Sequence, residues 1–228
     1  MAICAVVFSL SAPAQDSLVN KYGLKVIKSP EELESIARIN PGKAMSDLKK
    51  IIPGLVLDLR YATDNNFMHL RLYPKINTTY LRRTAADSLA VVQKELSGRG
   101  LGLKIFDAYR PYSVTERMWE PIKDDRYVAD PKKGSNHNRG IAVDLTIIVL
   151  NTGKELNMGT GFDNFTDSAH HSFTNLPEEV LQNRNLLKTT MEKHGFKLFE
   201  TEWWHYFIAN GERFEVLDID FKKFRKIN

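Results

Sequence analysis

The sequence predicts a single α+β domain, and three observations lead there. Its 228 residues suit one domain of ordinary size with a real core. Residues 84–96 and 177–194 read as helices, whereas 101–108, 141–149, 196–199 and 203–209 read as strands of one sheet. The apolar share of 43% argues against disorder. Positive charge, +4 net, is spread along the chain and gives no nucleic-acid signature. The basic run Lys222-Lys223-Phe224-Arg225-Lys226 reads as a solvated tail.

Residues 2–10 are apolar and lead into Ser11-Ala12-Pro13-Ala14, an apolar core ending in Ala-x-Ala, as in a secretory signal peptide. No positive residue precedes the run, and it is too short for a stable membrane span. Residues 1–14 are therefore expected to be an export signal and 15–228 the folded domain, working in the periplasm or outside the cell. The alternative is a buried N-terminal strand. Cys4 is the only cysteine and would leave with the signal, so no disulfide is expected.

Ser29-Pro30-Glu31-Glu32 combines a capping serine, a first-turn proline and a glutamate that closes a capping box. A helix should run from there to about Arg38 and end at Asn40-Pro41-Gly42. A second short helix is expected over 44–51, before Pro53-Gly54, and a strand over 56–61. His69 reads as a surface histidine. In 84–96, Ala85, Leu89, Val92 and Leu96 share one helical face, and Gly98 and Gly100 end it. The 101–108 strand finishes in Asp107-Ala108-Tyr109-Arg110-Pro111, which places Arg110 at a cleft; the plainer reading is a surface arginine paired with a carboxylate. Another helix begins near Ser113.

Residues 141–149 are the most strand-like segment, and Asp144 sits inside it. A carboxylate there is costly to bury unless something positive pairs with it; alone it would read as a solvent-facing edge residue. His137 ends the polar run 134–138 just upstream, and Glu202-Trp203-Trp204-His205-Tyr206 supplies a second imidazole. Two histidines and one aspartate leave one position of a tetrahedral zinc open, as a catalytic site requires. In a regular strand Glu202 and His205 face opposite sides, so both reach one site only if Glu202 lies in a turn or bulge before the strand.

The long polar loop 151–175 carries Gly153, Gly159 and Gly161, and sets Asp163 between Phe162 and Phe165. His170 and His171 read as loop-packing residues, because adjacent imidazoles do not easily ligate one metal. The 177–194 helix stops at Gly195. Zinc held by His137, Asp144 and His205 would lower the pKa of its water to roughly 7. Glu202 then suits a general base, and Arg110 the fixed cation for a developing oxyanion.

With these motifs the chain resembles the D-alanyl-D-alanine dipeptidases of the VanX type, in the metallopeptidase superfamily that also holds D-Ala-D-Ala carboxypeptidases and the hedgehog domain. The resemblance covers residue 61 onward. It rests on Tyr61-Ala62-Thr63, Asp107-x-Tyr109-Arg110-Pro111, Ser135-x-His137-x-Arg139-Gly140-x-Ala142-x-Asp144, Gly159-x-x-Phe162-Asp163, Ser168-x-His170-His171 and Glu202-Trp203-Trp204-His205-Tyr206. Asn136 departs from it, standing where a small serine is common.

The resemblance implies a small central antiparallel sheet flanked by helices in a single catalytic domain. It implies one zinc per chain on His137, Asp144 and His205, with Glu202 as base and Arg110 stabilising the transition state. Tyr61, Ser135 and Asp163 match positions around a bound dipeptide. The expected activity is hydrolysis of D-Ala-D-Ala to two D-alanines in cell-wall precursor turnover. The alternatives are a carboxypeptidase acting on longer wall peptides, or a zinc-binding module without catalysis. Oligomeric state is open.

Overall fold

The computed structural model describes residues 19–224, so the export signal read at residues 1–14 lies outside the described residues. In chain order the regular elements are β1 (Val26–Ile27), α1 (Pro30–Ile39), β2 (Met45–Asp47), α2 (Leu48–Ile51), β3 (Val56–Leu57), β4 (Tyr80–Arg82), α3 (Arg83–Ser97), β5 (Leu101–Asp107), α4 (Tyr112–Ile122), β6 (Ala142–Val149), α5 (Glu178–Lys193), β7 (Phe196–Phe199), β8 (Glu202–Ile208), β9 (Val216–Leu217) and α6 (Phe221–Phe224).

A run as apolar as β6 buries both faces and belongs inside a sheet. It lies at the centre of five strands ordered β3-β5-β6-β8-β7. The pairs are antiparallel except for β3, which runs parallel to β5 at one edge. The fold is therefore α+β, with a small and mainly antiparallel central sheet. Val143, Leu145 and Ile147 of β6 join Leu103 and Ile105 of β5 in a core completed by Leu89, Val92 and Leu96 of α3 and Leu187 and Met191 of α5. Strand alternation sends Asp144 to the other face.

Two local expectations need correction. Residues 44–51 are not one helix: Met45–Asp47 pairs with Tyr80–Arg82, and only Leu48–Ile51 is helical. The Asp47 carboxylate explains the switch, because it accepts from the Lys49 and Lys50 backbone N–H groups and caps α2. The strand expected over 56–61 stops at Leu57. After a last sheet bond from Asp58 N to Ile105 O, one 3-10 turn at Arg60–Ala62 turns Tyr61 inward. The small parallel pair β1–β9 is too short to carry a periodic signal.

Candidate metal centre

Two ligands of the expected triad are cross-strand partners. Asp144 of β6 stands opposite His205 of β8, and Asp107 of β5 stands opposite Asp144 from the other side. The second alignment depends on an irregularity between Ile105 and Asp107. Without it Phe106 would face Asp144; with it, three polar side chains form one row across the sheet. His137 reaches the row from the turn that leads into β6. His137, Asp144 and His205 bring one ligand atom each to within 4.8 Å of one another.

The ring orientations suit a metal. His137 Nδ1 lies 2.7 Å from the Ala108 carbonyl oxygen, which can only accept, so Nδ1 carries the proton and Nε2 presents a lone pair. That Nε2 is 3.3 Å from Asp144 Oδ2 and 3.2 Å from His205 Nδ1, and His205 Nδ1 is 2.9 Å from Asp144 Oδ1. Against the upward push of burial, His137 and His205 hold the Asp144 carboxyl well below the usual carboxylate range.

Glu202 also reaches this group, with Oε2 3.6 Å from His205 Nδ1. The bulge required by its odd spacing lies inside the strand, not before it. Glu202 is the first residue of β8 and pairs with Phe199, whereas Tyr206 pairs with Leu198, so Trp203, Trp204 and His205 crowd into one shift of register. Burial lifts the Glu202 carboxyl to about 7, opposed by His205.

Arg110 is buried and faces the same cavity. Its Nε and Nη2 donate to Asp107 Oδ2 at 3.0 and 2.9 Å, and its guanidinium lies over the Tyr61 ring, 4.9 Å from the centroid. Nη1 has no hydrogen-bond partner among the described residues. Tyr73 donates its hydroxyl to Asp107 Oδ1 at 2.8 Å, so the carboxylate that aims Arg110 is itself aimed.

The cavity has a volume of about 300 Å³, and Tyr61, Ser135 and Asp163 line it. Tyr61 donates its hydroxyl to Asp163 at 3.1 Å. Phe162 packs on Tyr61, Phe106 and Trp204, and Phe165 on Phe67 and Tyr127, so Asp163 stands in the apolar wall expected of it. Burial lifts the Asp163 carboxyl to about 8, and the Asp144 charge adds to the effect. Ser135 and Asn138 close the turn before β6 reciprocally, Ser135 N donating to Asn138 Oδ1 and Asn138 N to Ser135 Oγ. His69 is exposed, and His170 and His171 do not line the cavity.

Four carboxylates (Asp107, Asp144, Asp163 and Glu202) thus crowd one region in which, among the described residues, Arg110 is the buried cation. An excess of negative charge beside the His137 Nε2 lone pair and the His205 ring fits a divalent cation, which would also draw the raised carboxyl groups back down. Three residues of this arrangement had no role in the sequence reading. Asp107 was legible only as a neighbour of Arg110, and Tyr73 gave no signal. Fully buried Asn138 binds the Arg110 carbonyl and the Thr115 hydroxyl, tying the His137 turn to α4.

Comparison with known proteins gives the family. Residues 42–226 match the Peptidase_M15 family model, described as D-ala-D-ala dipeptidase. The D-alanyl-D-alanine dipeptidase of Escherichia coli (strain K12) is 34% identical over 178 residues, covering 78% of this chain and 91% of that protein. The one from Enterococcus faecium is 31% identical over 185 residues, covering 72% and 90%. A solved LD-carboxypeptidase, LdcB, aligns at a TM-score of 0.40 and 21% identity over 62% of this chain and 66% of that one, too low to bear on the assignment. Because the family model spans most of the chain and the relatives are matched over most of their own length, the chain belongs to the D-Ala-D-Ala dipeptidase family of M15 metallopeptidases and is a hydrolase.

Proposed function

We propose that the protein is a zinc-dependent dipeptidase that cleaves free D-Ala-D-Ala to two D-alanines in the turnover of cell-wall precursors. The observation that carries this reading is the convergence of His137, Asp144 and His205 within 4.8 Å, beside Glu202 and Arg110 in one cavity. Bound there, zinc would supply Lewis-acid polarisation and a water acidic enough to react near neutral pH. Glu202 takes the proton of the attacking water and delivers it to the leaving amine nitrogen. Arg110 offers Nη1 to the carbonyl oxygen as negative charge builds on it. Ser135 keeps its hydroxyl proton free for the dipeptide, since Oγ accepts from Asn138.

Asp163, steadied by Tyr61, receives the substrate ammonium. The ammonium and a dication both pull the raised Asp163 carboxyl toward its ionised form. An N-acylated peptide forfeits that pairing and leaves the carboxyl buried beside a neutral amide, a penalty of about 1–3 kcal/mol. Chelation should therefore abolish hydrolysis of D-Ala-D-Ala and zinc should restore it, while the N-acetyl dipeptide and a pentapeptide ending in D-Ala-D-Ala are cleaved very poorly. Asp163→Asn should narrow the gap between free and N-acetyl dipeptide by roughly 5- to 150-fold. Comparable rates on the pentapeptide would turn the reading to a carboxypeptidase, and indifference to chelator would remove the metal.

The Ala-x-Ala pattern before Gln15 supports placing the working enzyme in the periplasm or outside the cell. Cell fractionation with N-terminal sequencing checks this: a mature chain starting at Gln15 is expected, and an uncleaved cytoplasmic chain would refute it.

A further inference from the structure

Arg184 of α5 does not line the cavity, yet its guanidinium is buried and each of its three nitrogens donates a hydrogen bond. It makes three hydrogen bonds, all to backbone carbonyl oxygens: Nε to Met158 at 2.8 Å, Nη2 to Ser168 at 2.8 Å and Nη1 to His170 at 3.2 Å. Among the described residues no carboxylate stands within ion-pairing distance of it. Burying a guanidinium without a counter-charge is costly, so the three carbonyls account for its presence. They bracket the segment 159–167, which carries Phe162, Asp163 and Phe165.

The same segment is laid down on α5 at its entry. Gly159 has φ +81°, and a Cβ there would meet Val180 Cγ1 at 2.9 Å, so only glycine permits the close approach. Asn183 donates to the Asn157 carbonyl at 3.0 Å, and Trp203 Nε1 to Thr160 Oγ1 at 2.8 Å. Asp163 itself sits at φ +58°, in the left-handed region that aspartate enters more readily than most residues.

We propose that Arg184 is a positioning residue for substrate selection: by tying both ends of segment 159–167 to α5, it holds Asp163 where the dipeptide ammonium must arrive. The proposal rests on the reading of Asp163 as the partner of that ammonium. Its direct bonds all go to this loop, whereas His137, Asp144, His205, Glu202 and Arg110 are carried by other segments.

Steady-state kinetics of the zinc-loaded full chain on free and N-acetyl D-Ala-D-Ala test it. Arg184→Gln should lower kcat/KM for the free dipeptide by about tenfold to a hundredfold, chiefly through KM. The rate on the N-acetyl form and the zinc content should hardly change. Arg184→Lys, which keeps the charge but not the three-way reach, should lose less. Added to Asp163→Asn, Arg184→Gln should cost almost nothing more, because it acts through that carboxylate. Equal losses on both substrates, or additive losses in the double variant, would overturn the proposal. If Arg184→Gln does not fold, Arg184→Lys carries the same comparison; loss of zinc or fold in both would make Arg184 a support of the whole domain and overturn it too. Should Asp163→Asn alone leave the preference for free dipeptide intact, the Asp163 reading fails and this proposal with it. Should Asp163→Asn narrow the preference while Arg184→Gln does not, only the Arg184 proposal fails.

Discussion

Glu202→Ala should lower kcat by about 10²–10⁴-fold and leave fold and metal content intact. The residue is the first of β8, outside the group of three ligand atoms but 3.6 Å from His205 Nδ1. A general base works best with a pKa near the operating pH, and burial brings this carboxyl to about 7. A dication would act against that rise, keeping the base ionised for proton abstraction at neutral pH. Kinetics paired with metal analysis of the purified variant separate the roles. A variant that loses its zinc would make Glu202 a ligand.

Arg110→Ala should lower kcat by about 10²–10³-fold while KM changes little. The geometry argues for a role in the transition state and not in ground-state binding. Asp107 fixes Nε and Nη2, and the Tyr61 ring supports the plane of the guanidinium, so Nη1 points from a rigid mount and pays no reorganisation when charge appears. Arg110→Lys should not rescue the rate, because an ammonium cannot reproduce the two bonds to Asp107 and still present a donor. An effect confined to KM would place Arg110 in ground-state binding.

The three expected metal ligands were legible in the sequence because each announces itself locally. Asp144 is a carboxylate inside an apolar strand, His137 ends a polar turn just ahead of it, and His205 lies within a run of aromatics. The same is true of α3 and α5, whose boundaries fall within about two residues of their sequence signals. What was not legible depends on register. The shift at Phe106 that sets Asp107 beside Asp144 leaves the hydrophobic pattern unchanged; the one that gathers Trp203, Trp204 and His205 was signalled by the odd spacing of Glu202 and His205, but not its place inside the strand. The inward turn of Tyr61 likewise follows from a sheet bond of Asp58 to a strand more than forty residues away, which local periodicity cannot carry. Arg184 carries no signal in the sequence, since its partners are backbone carbonyls and have no side-chain signature.

Asp144 and His205 are neighbours across two hydrogen-bonded strands, whereas Asp163 stands on a loop clipped to a helix. On the proposed reading of Asp163, the separation would set the metal-holding sheet apart from the loop that selects the dipeptide. Such a division would let the clipped loop be rewritten for another substrate while the residues held by the sheet stay unaltered.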